Sequence, residues 1–78
     1  MRVRVLLFAA YRELAGARET DVELPPGATV GALVATLRQR WPALPADAAV
    51  AVDREFAPRD RALHDGCEAA LIPPVSGG

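Results

Sequence analysis

The stretch of this 78-residue chain with the clearest chemical potential is its last six residues. They are Pro73, Pro74, Val75, Ser76, Gly77 and Gly78. Two consecutive prolines neither continue a helix nor donate to a strand ladder, so they predict that the chain leaves the fold in extended form. The two glycines have no Cβ and fit a channel that would exclude a side chain. From Pro74 to Gly78 an extended chain reaches about 17 Å, enough to enter the active site of a partner.

The reactive group of this tail is the Gly78 carboxylate. Its pKa in peptides is about 3.3 to 3.7, so at neutral pH it is ionised and a poor electrophile. An ATP-using partner could activate it as an acyl-adenylate, and a sulfur donor could then convert it to a thiocarboxylate. The competing interpretation is an inert, frayed chain end, which is the usual state of protein termini.

The other reactive side chains do not form a recognisable catalytic set. His64 is the one histidine, and no sequence spacing places a nucleophile or carboxylate beside it, so we interpret it as an exposed loop residue. Cys67 follows a turn glycine and shows no basic or helix-terminal environment, so we expect an ordinary small residue. No phosphate-binding loop or metal-ligand cluster is evident, and we expect no bound cofactor or metal.

Composition indicates one small domain over residues 1–78, in which residues 73–78 form a C-terminal tail. The formal net charge is −1 and no basic cluster is present, which argues against nucleic acid or an anionic membrane as the partner. No signal peptide or membrane-spanning run is recognisable, which favours a cytoplasmic protein. All nine basic residues are arginine.

Five strands and one long helix are predicted to position the tail. Residues 2–8 alternate in polarity with Val3, Val5 and Leu7 on one side, the pattern of a half-buried strand. A short helix near residues 11–15, closed by a glycine, and an alternating strand over residues 19–24 follow. The remaining strands are predicted at residues 48–52, 55–57 and 68–72, with tight turns at residues 53–54 and 65–66. The long helix begins after Thr29 and has one apolar face, formed by Val30, Leu33, Val34, Leu37 and Trp41.

This order predicts an α+β protein with a β-grasp, ubiquitin-like mixed sheet packed on one main helix. One helix covers such a sheet most economically when the first and last strands lie parallel at its centre. The outward side chains of Phe8 and Ile72 then lie near each other, and Phe56 extends the same surface. An apolar patch beside the tail predicts a protein interface.

These features resemble the small subunit of molybdopterin synthase, a ubiquitin-like sulfur carrier. The resemblance covers nearly the whole chain and is most specific over residues 73–78. It also includes residues 7–9 and 12–14, Thr29-Val30 with Leu33 and Leu37, residues 50–52, Leu63, Asp65-Gly66 and Glu68. Asp53 and Cys67 depart from the family pattern, in which Asn and Asp are common at these positions.

The resemblance implies a function that the residues alone do not specify. Gly78 would be adenylated by an ATP-dependent, E1-like activating enzyme and converted to a thiocarboxylate by a sulfur donor system. The tail would then enter the large subunit of molybdopterin synthase and give its sulfur to cyclic pyranopterin monophosphate. Phe8, Phe56 and Ile72 match apolar contact positions of the family, and Arg12 is assigned to the same partner-binding set. The chain itself would be a non-catalytic, sulfur-donating subunit.

Three alternatives stay open. A β-grasp carrier could supply sulfur for thiazole, cysteine or tRNA thiolation with the same terminal chemistry. A ubiquitin-like modifier would join Gly78 to lysines of target proteins. An interaction domain with an inert tail would need neither sulfur transfer nor conjugation to lysine.

Overall fold

The structure, a computed structural model, describes residues 1–74 and contains seven elements. They are β1 (Arg2–Leu7), α1 (Ala9–Ala15), β2 (Glu19–Glu23), α2 (Val30–Arg40), β3 (Ala49–Val52), β4 (Glu55–Phe56) and β5 (Glu68–Ile72). The predicted β-grasp sheet is confirmed, because the strand order is β2-β1-β5-β3-β4 and β1 lies parallel to β5 at the centre. Leu7 is the register partner of Leu71, so the two central strands end side by side.

The core lies between the sheet and α2. Val3, Val5 and Leu7 of β1 are buried together with Ala69 and Leu71 of β5, as the alternation predicts. The apolar stripe of α2 meets them, and its buried members are Val30, Leu33, Val34 and Leu37. Thr29 is the N-cap of this helix, as predicted, because its Oγ1 accepts a hydrogen bond from the backbone N–H of Ala32 at 3.2 Å.

Trp41 differs from the sequence expectation that it belongs to the helical stripe. It is the C-cap residue, with φ −130° and ψ 83°, and it is half-buried against the edge of the core. The following Pro42 disfavours helical angles at Trp41 and so ends the helix one residue early. The guanidinium of Arg40 lies 5.0 Å from the Trp41 ring centroid. Arg40 therefore covers part of the ring that is not packed against the core.

Four strands are shorter than predicted, and one of the differences concerns a predicted site residue. β1 ends at Leu7, so Phe8 is the N-cap of α1 and not a strand residue. Leu24, Ala48 and Ala57 likewise lie just outside β2, β3 and β4. Ala9 follows Phe8 with a φ of 48°, and this left-handed residue turns the chain out of the sheet.

The turns form where the sequence predicts them. Asp53 and Arg54 both have positive φ, the geometry of a two-residue hairpin between β3 and β4. Gly16, with a φ of 74°, is the C-cap of α1 and donates its backbone N–H to the carbonyl of Arg12. Within residues 1–74, no helix has both the length and the apolar character needed to cross a membrane.

Candidate functional site: an apolar groove at the base of the tail

The face of the sheet that α2 does not cover is divided into an apolar and a charged half. Strand pairing aligns a row of uncharged side chains across β1, β5, β3 and β4. The row consists of Leu6, Ala70, Ala51 and Phe56. Ala51 and Ala70 are small and lie between larger neighbours, which leaves each only 9% exposed although both face away from the helix. One half of this face therefore presents a nearly flat apolar surface.

A groove of about 340 Å³ opens where this apolar half meets the end of β5. It is lined by Tyr11, Pro45, Asp47, Ala48, Ala49, Phe56, Ile72, Pro73 and Pro74. Most of this lining is apolar, and Asp47 supplies the one carboxylate. The two prolines are part of the lining, so the chain passes through the groove as it leaves the sheet. A partner that binds the tail would also cover the groove.

Four predicted site residues meet in this groove: Phe56, Ile72, Pro73 and Pro74. Phe56 is 72% exposed, the most exposed large apolar side chain that the structure describes. Its partner across the hairpin is Ala51, whose small side chain leaves the ring uncovered. An aromatic side chain with so little packing of its own is typical of a residue that becomes buried in a complex.

Phe8 and Arg12, two further predicted site residues, are not part of the groove lining. Phe8 is 40% exposed and follows Leu7, the register partner of Leu71, so it is next to Ile72 along the parallel strands. Arg12 is exposed on α1. Phe8 therefore extends the apolar surface beside Ile72. Val75, Ser76, Gly77 and Gly78, the remaining predicted site residues, lie outside the described part of the chain.

Sequence reasoning missed the other walls of the groove. Tyr11 is 6% exposed and reaches the groove from α1, and Pro45, Asp47 and Ala48 reach it from the loop before β3. Proline and alanine carry no chemical signal, so the sequence of this loop predicts only a connection between α2 and β3. The one available hint was Asp47, a charge between alanines next to a predicted buried strand.

The opposite end of the sheet holds the charged residues, including a pair that sequence spacing did not reveal. His64 Nε2 lies 2.9 Å from Asp53 Oδ2, although eleven residues separate them in the chain. Asp53 Oδ1 accepts the backbone N–H of Glu68 at 3.0 Å, and His64 Nδ1 lies 3.3 Å from the carbonyl oxygen of Asp65. The pair therefore links the β3–β4 turn to the start of β5. His64 is exposed, as expected, but it has a carboxylate partner.

These contacts shift the pKa values of Asp53 and His64 in opposite directions. The backbone N–H of Glu68, and then His64, lower the pKa of Asp53. The hydrogen bond to Asp53, and then the carbonyl of Asp65, raise the pKa of His64. Stabilisation from His64 is therefore complete below its ordinary pKa of about 6.5 and is lost as pH rises through the raised folded-state value. Stabilisation from Asp53 is lost as pH falls through its lowered value.

Replacing Asp53 with asparagine should return the pKa of His64 toward about 6.5, because the carboxylate that favours the imidazolium is removed. Asparagine tolerates the positive φ of this turn and still accepts the Glu68 N–H, so the turn should stay intact. NMR titration reads the value without ambiguity because the chain has one histidine. Asp60→Asn, at another exposed carboxylate, is the control. An unchanged pKa in Asp53→Asn would show that the pair does not form in solution.

Cys67 is buried, with 1% of its surface exposed, and its backbone N–H donates to the carbonyl of His64 at 3.1 Å. It packs in the hydrophobic core, in line with its interpretation as a small structural residue. Among residues 1–74, no group of three or more His, Cys, Asp or Glu side chains is arranged to hold a metal ion.

The mixed sheet around two parallel central strands, with an apolar groove at the point where the last strand ends, defines a ubiquitin-like β-grasp protein. The chain belongs to the ThiS family, whose family model matches residues 5–78. The resemblance to the small subunit of molybdopterin synthase is confirmed by curated relatives that match along their full length.

The molybdopterin synthase sulfur carrier subunit of Chlamydomonas reinhardtii is 42% identical to this chain, and the match covers 100% of both. The protein of the same name from Mycobacterium tuberculosis is 39% identical, over 100% of this chain and 99% of its own length. Among solved structures, the crystal structure of SAMP1 from Haloferax volcanii superposes with a TM-score of 0.87 at 34% identity and covers 100% of both chains.

Proposed function

We propose that this protein is the sulfur carrier subunit of a molybdopterin synthase and that Gly78 carries the sulfur. The observation that supports this most strongly is the 42% identity to a sulfur carrier subunit over the whole of both chains. The match extends to the end of the chain, so it includes the Gly77-Gly78 terminus on which the chemistry depends. The described part of the chain offers a binding surface, which suits a carrier that relies on the catalytic groups of its partners.

The proposed cycle begins with activation of the terminal carboxylate. A carboxylate oxygen of Gly78 attacks the α-phosphorus of ATP, pyrophosphate leaves, and an acyl-adenylate remains. This step takes place on an E1-like activating enzyme, so ATP is a substrate of that partner and not a cofactor of this chain. The donor system then supplies sulfur at the oxidation level of hydrosulfide. This sulfur attacks the acyl carbon and displaces AMP, which leaves a terminal thiocarboxylate.

The sulfur is delivered in the second half of the cycle. The thiocarboxylate sulfur attacks a side-chain carbon of cyclic pyranopterin monophosphate in the active site of the large subunit. A carbon–oxygen bond at that carbon breaks, the oxygen leaves, and the sulfur becomes one sulfur of the dithiolene. Water cleaves the resulting acyl–sulfur bond, and Gly78 leaves as a carboxylate that can be activated again. The absence of a Cβ at Gly77 and Gly78 allows two different enzymes to hold the same reacting carbon closely. ATP-dependent activation suits a cytoplasmic location, which is part of the proposal.

The large subunit is proposed to bind over the groove and the adjacent surface. Phe56, Ile72 and the prolines that begin the tail lie together there, so docking of the groove and insertion of the tail would occur as one event. Phe8 and Arg12 are proposed to contact the partner outside the groove. The charged end of the sheet, with His64 and Asp53, lies away from the groove, and we propose no role for it in sulfur transfer.

A second candidate function is covalent modification of proteins. It is favoured by the similarity to SAMP1, because a second H. volcanii structure, 33% identical to this chain, is called small archaeal modifier protein 1. A modifier would pass the acyl group of Gly78 to a target lysine and would accumulate as higher-mass conjugates in cell extracts. A dedicated carrier would be recovered with a large subunit. A carrier for thiazole, cysteine or tRNA thiolation would show the same tail chemistry and a different acceptor.

The test is the mass of the C-terminal peptide after incubation with ATP, the activating enzyme and a sulfur donor. Intact mass is ambiguous, since oxidation of Met1 or Cys67 adds nearly the mass gained when sulfur replaces oxygen. Cleavage after Glu68 releases residues 69–78, which contain neither residue. We expect a sulfur-for-oxygen exchange localised to Gly78 that requires ATP, followed by sulfur transfer to cyclic pyranopterin monophosphate when the large subunit is added. An unmodified peptide, with an activating enzyme that thiolates another carrier, would contradict the proposal.

A further inference from the structure

One wall of the groove is a loop that lacks regular secondary structure. Residues 41–48 connect α2 to β3 and contribute Pro45, Asp47 and Ala48 to the groove. The loop contains two prolines, which have no N–H to donate. Ala48 donates its backbone N–H to the carbonyl of Pro45 at 3.2 Å, which forms one tight turn. The outward carbonyl groups of the loop need donors from elsewhere.

Arg59, in the segment between β4 and β5, supplies those donors. Its Nη2 donates to the carbonyl oxygen of Ala46 at 2.8 Å and to that of Ala48 at 2.5 Å. The two acceptors lie on either side of Asp47, so one guanidinium nitrogen clamps the stretch that faces the groove. Hydrogen bonds from a charged donor are stronger than those between neutral groups.

The backbone around Arg59 is itself tied to the core elements. Gly31, in the first turn of α2, donates its N–H to the carbonyl of Arg59 at 2.8 Å. A Cβ on Gly31 would lie 3.3 Å from that oxygen, so the close approach favours glycine here. Ala57 donates to Val50 of β3 at 2.9 Å on the other side. Arg59 therefore joins the groove wall to a helix and a strand that do not depend on the loop.

We propose that Arg59 is a positioning residue for partner docking, holding residues 46–48 in the shape that the partner recognises. The groove wall is then ordered before the partner binds, so the free energy of binding is not reduced by the entropy cost of ordering the loop. Arg59 does not line the groove, so it acts through the loop. The inference rests on the proposed function for the identity of the partner, the large subunit of molybdopterin synthase.

Arg38 provides a matched comparison within the same loop. Its Nε donates to the carbonyl of Leu44 at 2.9 Å, and Leu44 is buried with 1% of its surface exposed. Leu44 is not part of the groove lining, so Arg38 holds the inner part of the loop and Arg59 the part that faces the groove. The two arginines make similar bonds, and only one of them shapes the docking surface.

The experiment compares Arg59→Met, Arg59→Lys and Arg38→Met in the full chain. Methionine keeps an apolar stem without donors, whereas the lysine ammonium has three donors and can still reach carbonyl oxygens. Three quantities are measured: thermal stability, amide hydrogen exchange at Ala48 in the free chain, and the Kd for the large subunit at a temperature where every variant is folded. In Arg59→Met we expect faster exchange at Ala48 and a Kd about tenfold higher. In Arg59→Lys the exchange rate and the Kd should lie between those of Arg59→Met and the wild-type chain. Arg38→Met should leave the Kd within about twofold of the wild-type value.

The alternative, a purely structural role for Arg59, predicts a different pattern. Arg59→Met would then lower thermal stability while the Kd and the exchange at Ala48 stay at wild-type values, and that result would overturn the inference. A Kd raised equally by Arg38→Met and Arg59→Met would also overturn it. Amide exchange is measured in the free chain and needs no partner. It therefore tests whether Arg59 holds the loop even if the wild-type chain does not bind the large subunit. That lack of binding would count against the proposed function.

Discussion

Replacing Gly78 with alanine is expected to lower the rate of sulfur transfer about 100-fold or more while the domain stays folded. The added methyl group would stand on the carbon next to the reacting carboxylate, where it hinders both attack on the acyl carbon and entry into a narrow channel. Displacement of a reacting atom by about 1 Å is enough for a 100-fold loss. Gly77→Ala is also expected to lower the rate of sulfur transfer, because its added methyl group makes the tail wider.

Folding should be insensitive to this substitution because the core is complete before the tail begins. Within residues 1–74 the last buried side chain is Leu71, and the strand that carries it ends at Ile72. Single-turnover sulfur transfer gives the rate, ATP–pyrophosphate exchange reports whether the activation step is affected, and thermal unfolding verifies the fold. Ala17→Gly, which also changes one methyl group, lies at an exposed position of the described chain and is the control. Normal transfer by folded Gly78→Ala protein would refute the requirement for a tip without side chains.

Removing the ring of Phe56 should weaken binding to the large subunit about 30-fold. Aromatic residues at the centre of an interface often contribute 2 kcal/mol or more when truncated, and about 1.4 kcal/mol corresponds to a factor of ten in Kd. Phe56 is 72% exposed and lines the groove beside the start of the tail, so its ring has much surface to lose to a partner. The same exposure means that Phe56→Ala should change the free energy of unfolding by about 0.5 kcal/mol or less.

Leu14→Ala is the matched control for Phe56→Ala. Leu14 is also a large exposed apolar residue, with 37% of its surface accessible, but it is not part of the groove lining. Calorimetric titration with the large subunit should therefore show a loss of affinity in Phe56→Ala and little change in Leu14→Ala. Equal losses in the two variants would mean that general surface hydrophobicity, and not the groove, governs binding.

The class of fold could be predicted from the sequence because its determinants are local. Alternation of Val3, Val5 and Leu7, the cap at Thr29 and the spacing of Leu33 and Leu37 each depend on backbone periodicity. With one long helix, few arrangements can bury those faces, and the structure has the arrangement with parallel central strands. The outward side of Ile72 was predicted for the same reason, since the side of a strand on which a residue lies follows from its parity.

The sequence alone specified the set of elements, their apolar faces and the residues of the C-terminal tail. Which residues of distant loops and helices meet depends on the tertiary structure. It brought Asp53 to His64, Tyr11 and Asp47 to the groove, and the Arg59 guanidinium to the carbonyl groups of Ala46 and Ala48. The physical reason is that strands and helices follow repeating patterns, whereas the path of a loop depends on which distant donors satisfy its backbone. Those donors become neighbours only when the sheet has formed.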